Sequence, residues 1–252
     1  MSLSRLLVRA GELRASHRAT EETERRTERT HSVLAVSSVS LCAALLLFLA
    51  DTASAQSGRT ASFPAQNLAV RSIPRTMPHQ GRPVAAKRWT DQLGENTLIL
   101  TQTGKLPGRA CPPGQAPCSD AEVYAYHYVR RGAAVSLLWR TADFERGCEF
   151  DLYAGFIPES IAVTDLDADG VAESSFMYLL ACRSDVSPAT LKLIMHEGAQ
   201  KFAARGSSRP RGAEYGGEVR LDEAFARAPR TFGEFVQAQW RRFRGSDTFQ
   251  QF

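Results

Sequence analysis

Short segments of alternating hydrophobic and polar residues fill the chain from residue 87 onward, and turn residues separate them in pairs. Alternation with a period of two is typical of β-strands that bury one face, and a Gly-containing break between two such segments indicates a hairpin. Consecutive pairs occupy residues 87–103, 121–141, 160–182 and 191–206. The pattern predicts a mainly β (α+β) fold built as an antiparallel β-hairpin meander.

A helical pattern follows these strands. Five apolar residues recur at the spacing that places side chains on one side of an α-helix: Phe232, Phe235, Val236, Trp240 and Phe243. Thr231 is followed three residues later by Glu234, which is the signature of a capping box. We therefore expect a C-terminal helix over residues 231–243 that packs on one face of the sheet or covers its edge.

The N-terminal region has the pattern of an export signal. A basic segment precedes an uncharged apolar run at residues 33–50, and the small residues Ala53, Ser54 and Ala55 follow. This order is typical of a secretory signal, here with a long N-terminal extension, and it predicts cleavage after Ala55. The mature protein would then be periplasmic or secreted. A run of 18 residues could also remain as an uncleaved membrane anchor, which would be the chain's contact with a membrane.

The pattern divides the chain into three parts. Residues 1–55 carry the signal with its extension, and residues 56–86 are rich in Ser, Ala, Pro and Arg with little periodicity. Such a composition predicts a disordered linker or a loosely docked arm. Residues 87–245 form one β-rich domain with its C-terminal helix, a size that is ordinary for a single domain.

Composition and charge change this picture little. The chain has 252 residues, of which 43% are hydrophobic and 23% are charged. These values are ordinary for a globular protein and exclude collagenous, low-complexity and fully disordered chains. The net charge of +4 is spread along the chain, so we expect no nucleic-acid partner.

Four of the five cysteines lie beyond the predicted signal: Cys111, Cys118, Cys148 and Cys182. Export into an oxidising compartment makes disulfides the expected state of these thiols. Four cysteines allow three pairings, and proximity in sequence favours Cys111 with Cys118, which leaves Cys148 with Cys182. Metal binding by the thiols is the alternative, although no CxxC pair is present.

Residues 165–173, DLDADGVAE, carry the strongest chemical motif. Ca²⁺ takes six to eight oxygen ligands, and carboxylates at alternate positions converge on one point when a loop curls. The motif predicts a structural Ca²⁺ site with five ligand residues: Asp165, Asp167, Asp169, Val171 through its backbone carbonyl, and Glu173. Gly170 permits the sharp turn. The alternative is a solvated acidic turn without an ion.

The surroundings of this loop exclude an EF-hand. The twelfth position, where an EF-hand has its bidentate Glu, is Phe176, and the flanking segments are strand-like. The strand–DxDxDGxxE–strand arrangement resembles the calcium loops of integrin FG-GAP and VCBS-type repeats. The sequence contains one copy of the motif, which excludes a complete propeller.

A wider resemblance covers residues 87–206, in which CRSDVSP (182–188) and LKLIMHEG (191–198) are the most specific segments. This stretch is similar to a family of exported bacterial proteins described as surface polysaccharide biosynthesis proteins. The resemblance implies an envelope or secreted protein whose partner is a surface glycan or an envelope protein. It brings no catalytic residues with it.

One further group could bind a glycan. Tyr124, Tyr126 and Tyr128 alternate on one face of a predicted strand, where their rings could stack on sugars or could form part of the core. His196 and Glu197 lack the second His of a zinc protease, and no GxSxG or P-loop motif is present. We therefore expect a non-enzymatic, calcium-binding envelope protein, with a secreted glycan-acting hydrolase or transferase as the alternative.

Overall fold

The structure is a computed structural model that describes residues 61–109, 111 and 117–247. The predicted signal segment and its cleavage position after Ala55 lie outside the described residues. Within the described part of the chain, no helix combines the length and the apolar character that crossing a bilayer requires.

The described residues form twelve strands and one α-helix. The strands are β1 Ala61–Ser62, β2 Gln66–Asn67, β3 Arg82–Asp91, β4 Gly94–Gln102, β5 Leu106–Pro107, β6 Ser119–Arg131, β7 Ala134–Cys148, β8 Asp151–Asp165, β9 Glu173–Arg183, β10 Thr190–Glu197, β11 Gln200–Ser207 and β12 Val219–Leu221. The helix α1 spans Arg230–Phe243. Short 3-10 helices lie at Val70–Ser72 and Glu223–Arg227.

The strands form two antiparallel sheets. The first sheet has the order β1-β8-β9-β10-β11-β12. In the second sheet, β2, β3, β4 and β6 follow one another, β5 pairs with the beginning of β6, and β7 pairs with β6 as well. The predicted hairpins are therefore present, and the mainly β fold is confirmed. The chain changes sheet between β7 and β8, so the meander is divided between two layers.

A shared hydrophobic core joins the two sheets. Trp89, Leu98 and Trp139 of the second sheet pack in one cluster with Phe156 and Phe176 of the first. The rings of Trp139 and Phe176 are stacked with their centroids 6.4 Å apart. Burial of these large aromatic side chains makes a two-layer β-sandwich the stable arrangement.

The C-terminal helix packs on the other face of the first sheet. Phe232, Val236 and Trp240 are at most 1% exposed, and the ring of Phe232 meets the edge of Phe202 in β11 at 5.3 Å. This confirms the predicted position of the helix. The predicted capping box is wrong, because the helix begins at Arg230 after Pro229 and the side chain of Thr231 makes no cap. Glu234 instead pairs with Arg230 at 2.6 Å.

Residues 61–86 do not form the expected linker. They supply β1, which pairs with β8, and β2, which pairs with β3. Residues 73–80, which we call the strap, cross the outer face of the second sheet. Met77 of the strap is 2% exposed and packs on the tyrosines of β6. The domain therefore begins before residue 87 in the described chain.

Both favoured disulfides are present. Cys111 is bonded to Cys118, and Cys148 is bonded to Cys182. Cys148 ends β7 in the second sheet, whereas Cys182 lies in β9 of the first. The second disulfide therefore ties the two layers together.

Candidate metal site

The loop between β8 and β9 curls so that its carboxylates converge. Ala168 and Gly170 adopt left-handed backbone angles, with φ of 61° and 82°. The backbone N–H of Val171 donates to Oδ1 of Asp169 at 2.7 Å, and that of Asp169 donates to Oδ1 of Asp167 at 3.3 Å. These local bonds are Asx turns, which hold the short acidic side chains against the turning backbone.

Two groups of carboxylates result, and each could hold a metal ion. Asp165, Asp167 and Glu173 offer oxygen atoms that lie within 4.8 Å of one another. Asp167, Asp169 and Glu197 meet the same condition. Asp167 belongs to both groups, so the two triads form one continuous acidic site.

Glu197 is the residue that sequence reasoning did not assign to the site. It ends β10, and the antiparallel register places it directly opposite Glu173 at the start of β9. Both residues lie at the end of the strands from which the acidic loop projects. The available signal was the hairpin between residues 173–182 and 191–197, since an antiparallel pair brings its first and last residues together.

Glu173 is the most enclosed member. Its carboxylate is 0% exposed and accepts a hydrogen bond from the Thr164 hydroxyl at 2.8 Å. The backbone N–H of Leu166 lies 3.1 and 3.0 Å from the two carboxylate oxygens. Burial raises the pKa of Glu173 to about 7, and these hydrogen bonds oppose part of that rise.

Glu197 lies close to the negatively charged aspartates of the loop. Burial, together with the charges of Asp167, Asp169 and Asp165, raises its pKa to about 7. Like charges directly opposite each other across two strands destabilise a sheet, which is the situation of Glu197 and Glu173. A bound cation would remove that repulsion.

Two buried oxygen atoms fit such a cation. Oδ1 of Asp165 and Oε1 of Glu197 are enclosed and have no hydrogen-bond partner among the described residues. Buried acceptors are normally satisfied, and a cation is one way to satisfy them. The residues present therefore suit an oxygen-coordinated metal ion. The expected contribution of the Val171 carbonyl stays a prediction.

The turn between β3 and β4 supports the loop from the second sheet. Nε2 of Gln92 donates to the backbone oxygen of Asp169 at 2.7 Å, and the backbone N–H of Gln92 donates to that of Gly170 at 3.1 Å. Oδ2 of Asp91 accepts the N–H of Ala172 at 3.1 Å. The φ of 82° favours glycine at position 170, and a Cβ atom there would also displace Nε2 of Gln92, which would lie 2.3 Å away.

The tyrosine stripe lies beneath the strap. Tyr124, Tyr126 and Tyr128 are 8%, 4% and 4% exposed. The N–H of Gln80 donates to the Tyr126 hydroxyl at 2.9 Å, and the Tyr128 hydroxyl donates to the Pro78 carbonyl. The faces of Tyr126 and Tyr128 are therefore covered, and Tyr124 alone borders a surface pocket.

The histidine beside Glu197 is a core residue. His196 is 4% exposed, and its ring stacks on Trp139 at 3.9 Å between centroids. Burial lowers the pKa of His196 to about 3, so its ring is neutral at physiological pH.

Comparisons with protein-family models, with curated proteins and with solved structures find no match for this chain.

Proposed function

We propose that this chain is an exported, calcium-binding envelope protein that acts without catalysis in the biosynthesis or assembly of a surface polysaccharide. The observation that carries the proposal is the convergence of Asp165, Asp167 and Glu173 with a second triad completed by Glu197. In this role the ion is structural and joins the β8–β9 loop to the end of β10 in the first sheet.

The donor set favours calcium among common metal ions. All side-chain donors in the two triads are carboxylates, which suit hard cations, whereas zinc and copper favour His and Cys ligands. Ca²⁺ accepts irregular geometry with six to eight ligands, while Mg²⁺ requires a near-ideal octahedron. A loop whose members include exposed Asp167 and Asp169 leaves room for water ligands.

Export is supported by the covalent structure. Disulfides persist in oxidising compartments outside the cytoplasm, and the described part of this chain has two. The predicted signal segment agrees with that location. The link to surface glycans rests on the family that residues 87–206 resemble.

Calcium-dependent thermal unfolding tests the metal site. Extracellular modules bind Ca²⁺ with dissociation constants of about 0.1–1 mM. At about 1 mM Ca²⁺ and a dissociation constant of about 0.1 mM, binding stabilises the folded state by about 1.4 kcal/mol. We expect the melting temperature to rise by roughly 3–6 °C over that in EDTA.

Matched variants locate the effect. Asp167→Asn should abolish the calcium-dependent rise, because Asp167 belongs to both triads. Asp151→Asn removes an exposed carboxylate at the other end of β8 and should preserve the rise. Equal melting temperatures of the wild-type protein in calcium and in EDTA would refute the calcium site.

The glycan role is tested separately with a glycan array probed in calcium and in EDTA. Selective binding to bacterial surface polysaccharides without turnover supports the proposal. Cleavage or extension of a bound glycan would replace it with the enzymatic alternative.

A further inference from the structure

A pocket of about 330 Å³ lies on the outer face of the second sheet, away from the acidic loop. Residues of β6 and β7 line it, together with Gln80 of the strap and Arg109. The volume is at the lower end of the range for small-molecule sites, which suits one sugar unit.

Three guanidinium groups line this pocket: Arg109, Arg140 and Arg146. Arg109 and Arg146 both donate to the Glu122 carboxylate, which is 7% exposed. Nη1 of Arg146 is buried and has no hydrogen-bond partner within the described part of the chain. A guanidinium group carries five N–H donors, so each of these side chains keeps donors for a further acceptor.

Arg140 is the cation with the greatest freedom to bind an anion. It lies over the rings of Tyr124 and Tyr126 at 5.2 and 5.8 Å, and it donates to the Gln80 side chain at 2.8 Å. It forms no ion pair with a carboxylate among the described residues. Its charge is therefore held in place by aromatic rings and an amide and is available to a ligand.

Other groups in the pocket distinguish a sugar from a simple anion. Glu122 remains ionised, because hydrogen bonds from Tyr124 and Arg146 outweigh burial and keep its pKa below the usual value. Phe144 at the rim is 54% exposed. A carboxylate inside the pocket repels a bare anion but accepts hydrogen bonds from hydroxyl groups, and an exposed ring packs on the C–H face of a sugar.

We propose that this pocket binds an acidic sugar, with the carboxylate of a hexuronic acid unit held by Arg140 and Arg146 and its hydroxyls donating to Glu122. Arginine is suited to this task because its planar fork matches a carboxylate with two parallel hydrogen bonds. The inference rests on the proposed function in taking a glycan as the partner, and it is independent of the calcium site.

Calorimetric titration of the full chain in EDTA tests the assignment. The probes are digalacturonic acid, the neutral digalactose and inorganic phosphate. We expect digalacturonic acid to bind at least tenfold more tightly than either of the others, since a charge-assisted pair contributes about that factor. Equal binding of digalactose, equal binding of phosphate, or no binding of digalacturonic acid would overturn the proposal.

Variants tie binding to the pocket. Arg140→Gln should weaken digalacturonic acid binding at least tenfold, and Arg140→Lys should weaken it less, because charge remains but the fork is lost. Arg220→Gln removes an exposed arginine on β12 of the first sheet and should leave the affinity unchanged. Unchanged affinity in Arg140→Gln would overturn the assignment, since this exposed residue can be replaced without disturbing the core.

The same titrations on Asp167→Asn separate the two proposals. Retained binding of digalacturonic acid alongside a lost calcium effect supports both sites as independent. A wild-type protein that lacks the calcium effect but binds the acidic sugar would refute the calcium proposal and support this one.

Discussion

At the scale of single residues, Glu197 carries a charge that the fold makes unfavourable without a partner. It faces Glu173 across two paired strands and lies in one triad with Asp167 and Asp169. Its effect on stability should therefore have opposite signs with and without a cation.

Glu197→Gln tests this expectation. Without calcium, the variant should be more stable than the wild type by about 0.2–1 kcal/mol, because a like-charge contact is relieved. With calcium, it should gain less stability than the wild type, because a ligand is lost. Urea unfolding in EDTA and in calcium measures both effects. Glu159→Gln, at an exposed position of β8, is the control, and a less stable variant with unchanged calcium binding would contradict the expectation.

His127 gives a second residue-scale prediction, for the pH dependence of stability. Its ring is 2% exposed, lies between Trp89 and Trp139, and contacts Oδ1 of Asn96 through Nε2 at 2.8 Å. Burial lowers the pKa of His127 from 6.5 to about 4, and the charge of Asp91 opposes part of the shift. The folded state therefore favours the neutral ring.

The stability that His127 contributes is fully present above the unfolded-state pKa of about 6.5 and is lost as the pH falls through about 4. The loss amounts to roughly 3 kcal/mol. We expect the difference in unfolding free energy between the wild type and His127→Gln to fall by about this amount over that window. Denaturant titrations at several pH values measure it, and the titration of Glu173 and Glu197 cancels in the difference. A constant difference would contradict the prediction.

At the scale of elements, the first sheet is buried on both faces. Along β9, Phe176, Tyr178 and Leu180 face the other sheet, while Met177 and Leu179 face the helix side. This explains the continuous apolar run at residues 176–181, which alternation alone does not require. Helix α1 is therefore an integral layer of the fold.

Trp240→Ala should destabilise the protein by about 3–5 kcal/mol, the usual cost of a large aromatic side chain lost from a core. Trp240 is 1% exposed, and its indole N–H donates to the Gly217 carbonyl at 3.0 Å. Gln237→Ala, on the exposed face of the same helix, should change stability by less than about 0.5 kcal/mol. Urea unfolding compares the two, and equal effects would show that the helix is not packed as described.

Local sequence patterns predicted the strands and the helix, but they did not predict which strands pair across the fold. The hairpins and the helix follow from periodicities within short segments. Strands β1 and β2 have two residues each and carry no periodicity, so residues 61–86 looked like a linker. The division into two sheets depends on contacts between residues far apart in sequence, such as Trp139 with Phe176.

In the candidate metal site, too, the residues that are close in sequence were predicted and the distant one was not. Asp165, Asp167, Asp169 and Glu173 lie in one motif and were found from sequence. Glu197 comes from another strand and enters only through the register of β9 and β10. The pocket on the outer face of the second sheet is lined by residues from four segments, among them 80, 109, 122, 140 and 146. No local sequence motif indicates this pocket.

At the scale of the whole molecule, the disulfide between Cys148 and Cys182 links the two sheets across 34 residues. Replacing both cysteines with serine should destabilise the protein by about 2–4 kcal/mol, since a longer closed loop gains more from cross-linking. The matched control replaces Cys111 and Cys118, which are seven residues apart and should cost less. Guanidinium unfolding ranks the two double variants, and the reverse order would contradict the loop-length argument.

The pairing of β1 with β8 has a consequence for the order of folding. Ala61 pairs with Asp165 across the two strands. The outer apolar face of the first sheet is covered only when Phe232 and Trp240 of helix α1 pack on it. A chain that emerges from its N-terminus during synthesis therefore cannot complete this layer until residues 230–243 have also emerged. Contacts between residues so far apart in sequence form slowly. Until helix α1 packs, the exposed apolar face of the first sheet makes the chain prone to aggregation. We expect shortened chains ending at residue 229 to bind a hydrophobic dye and the full chain not to.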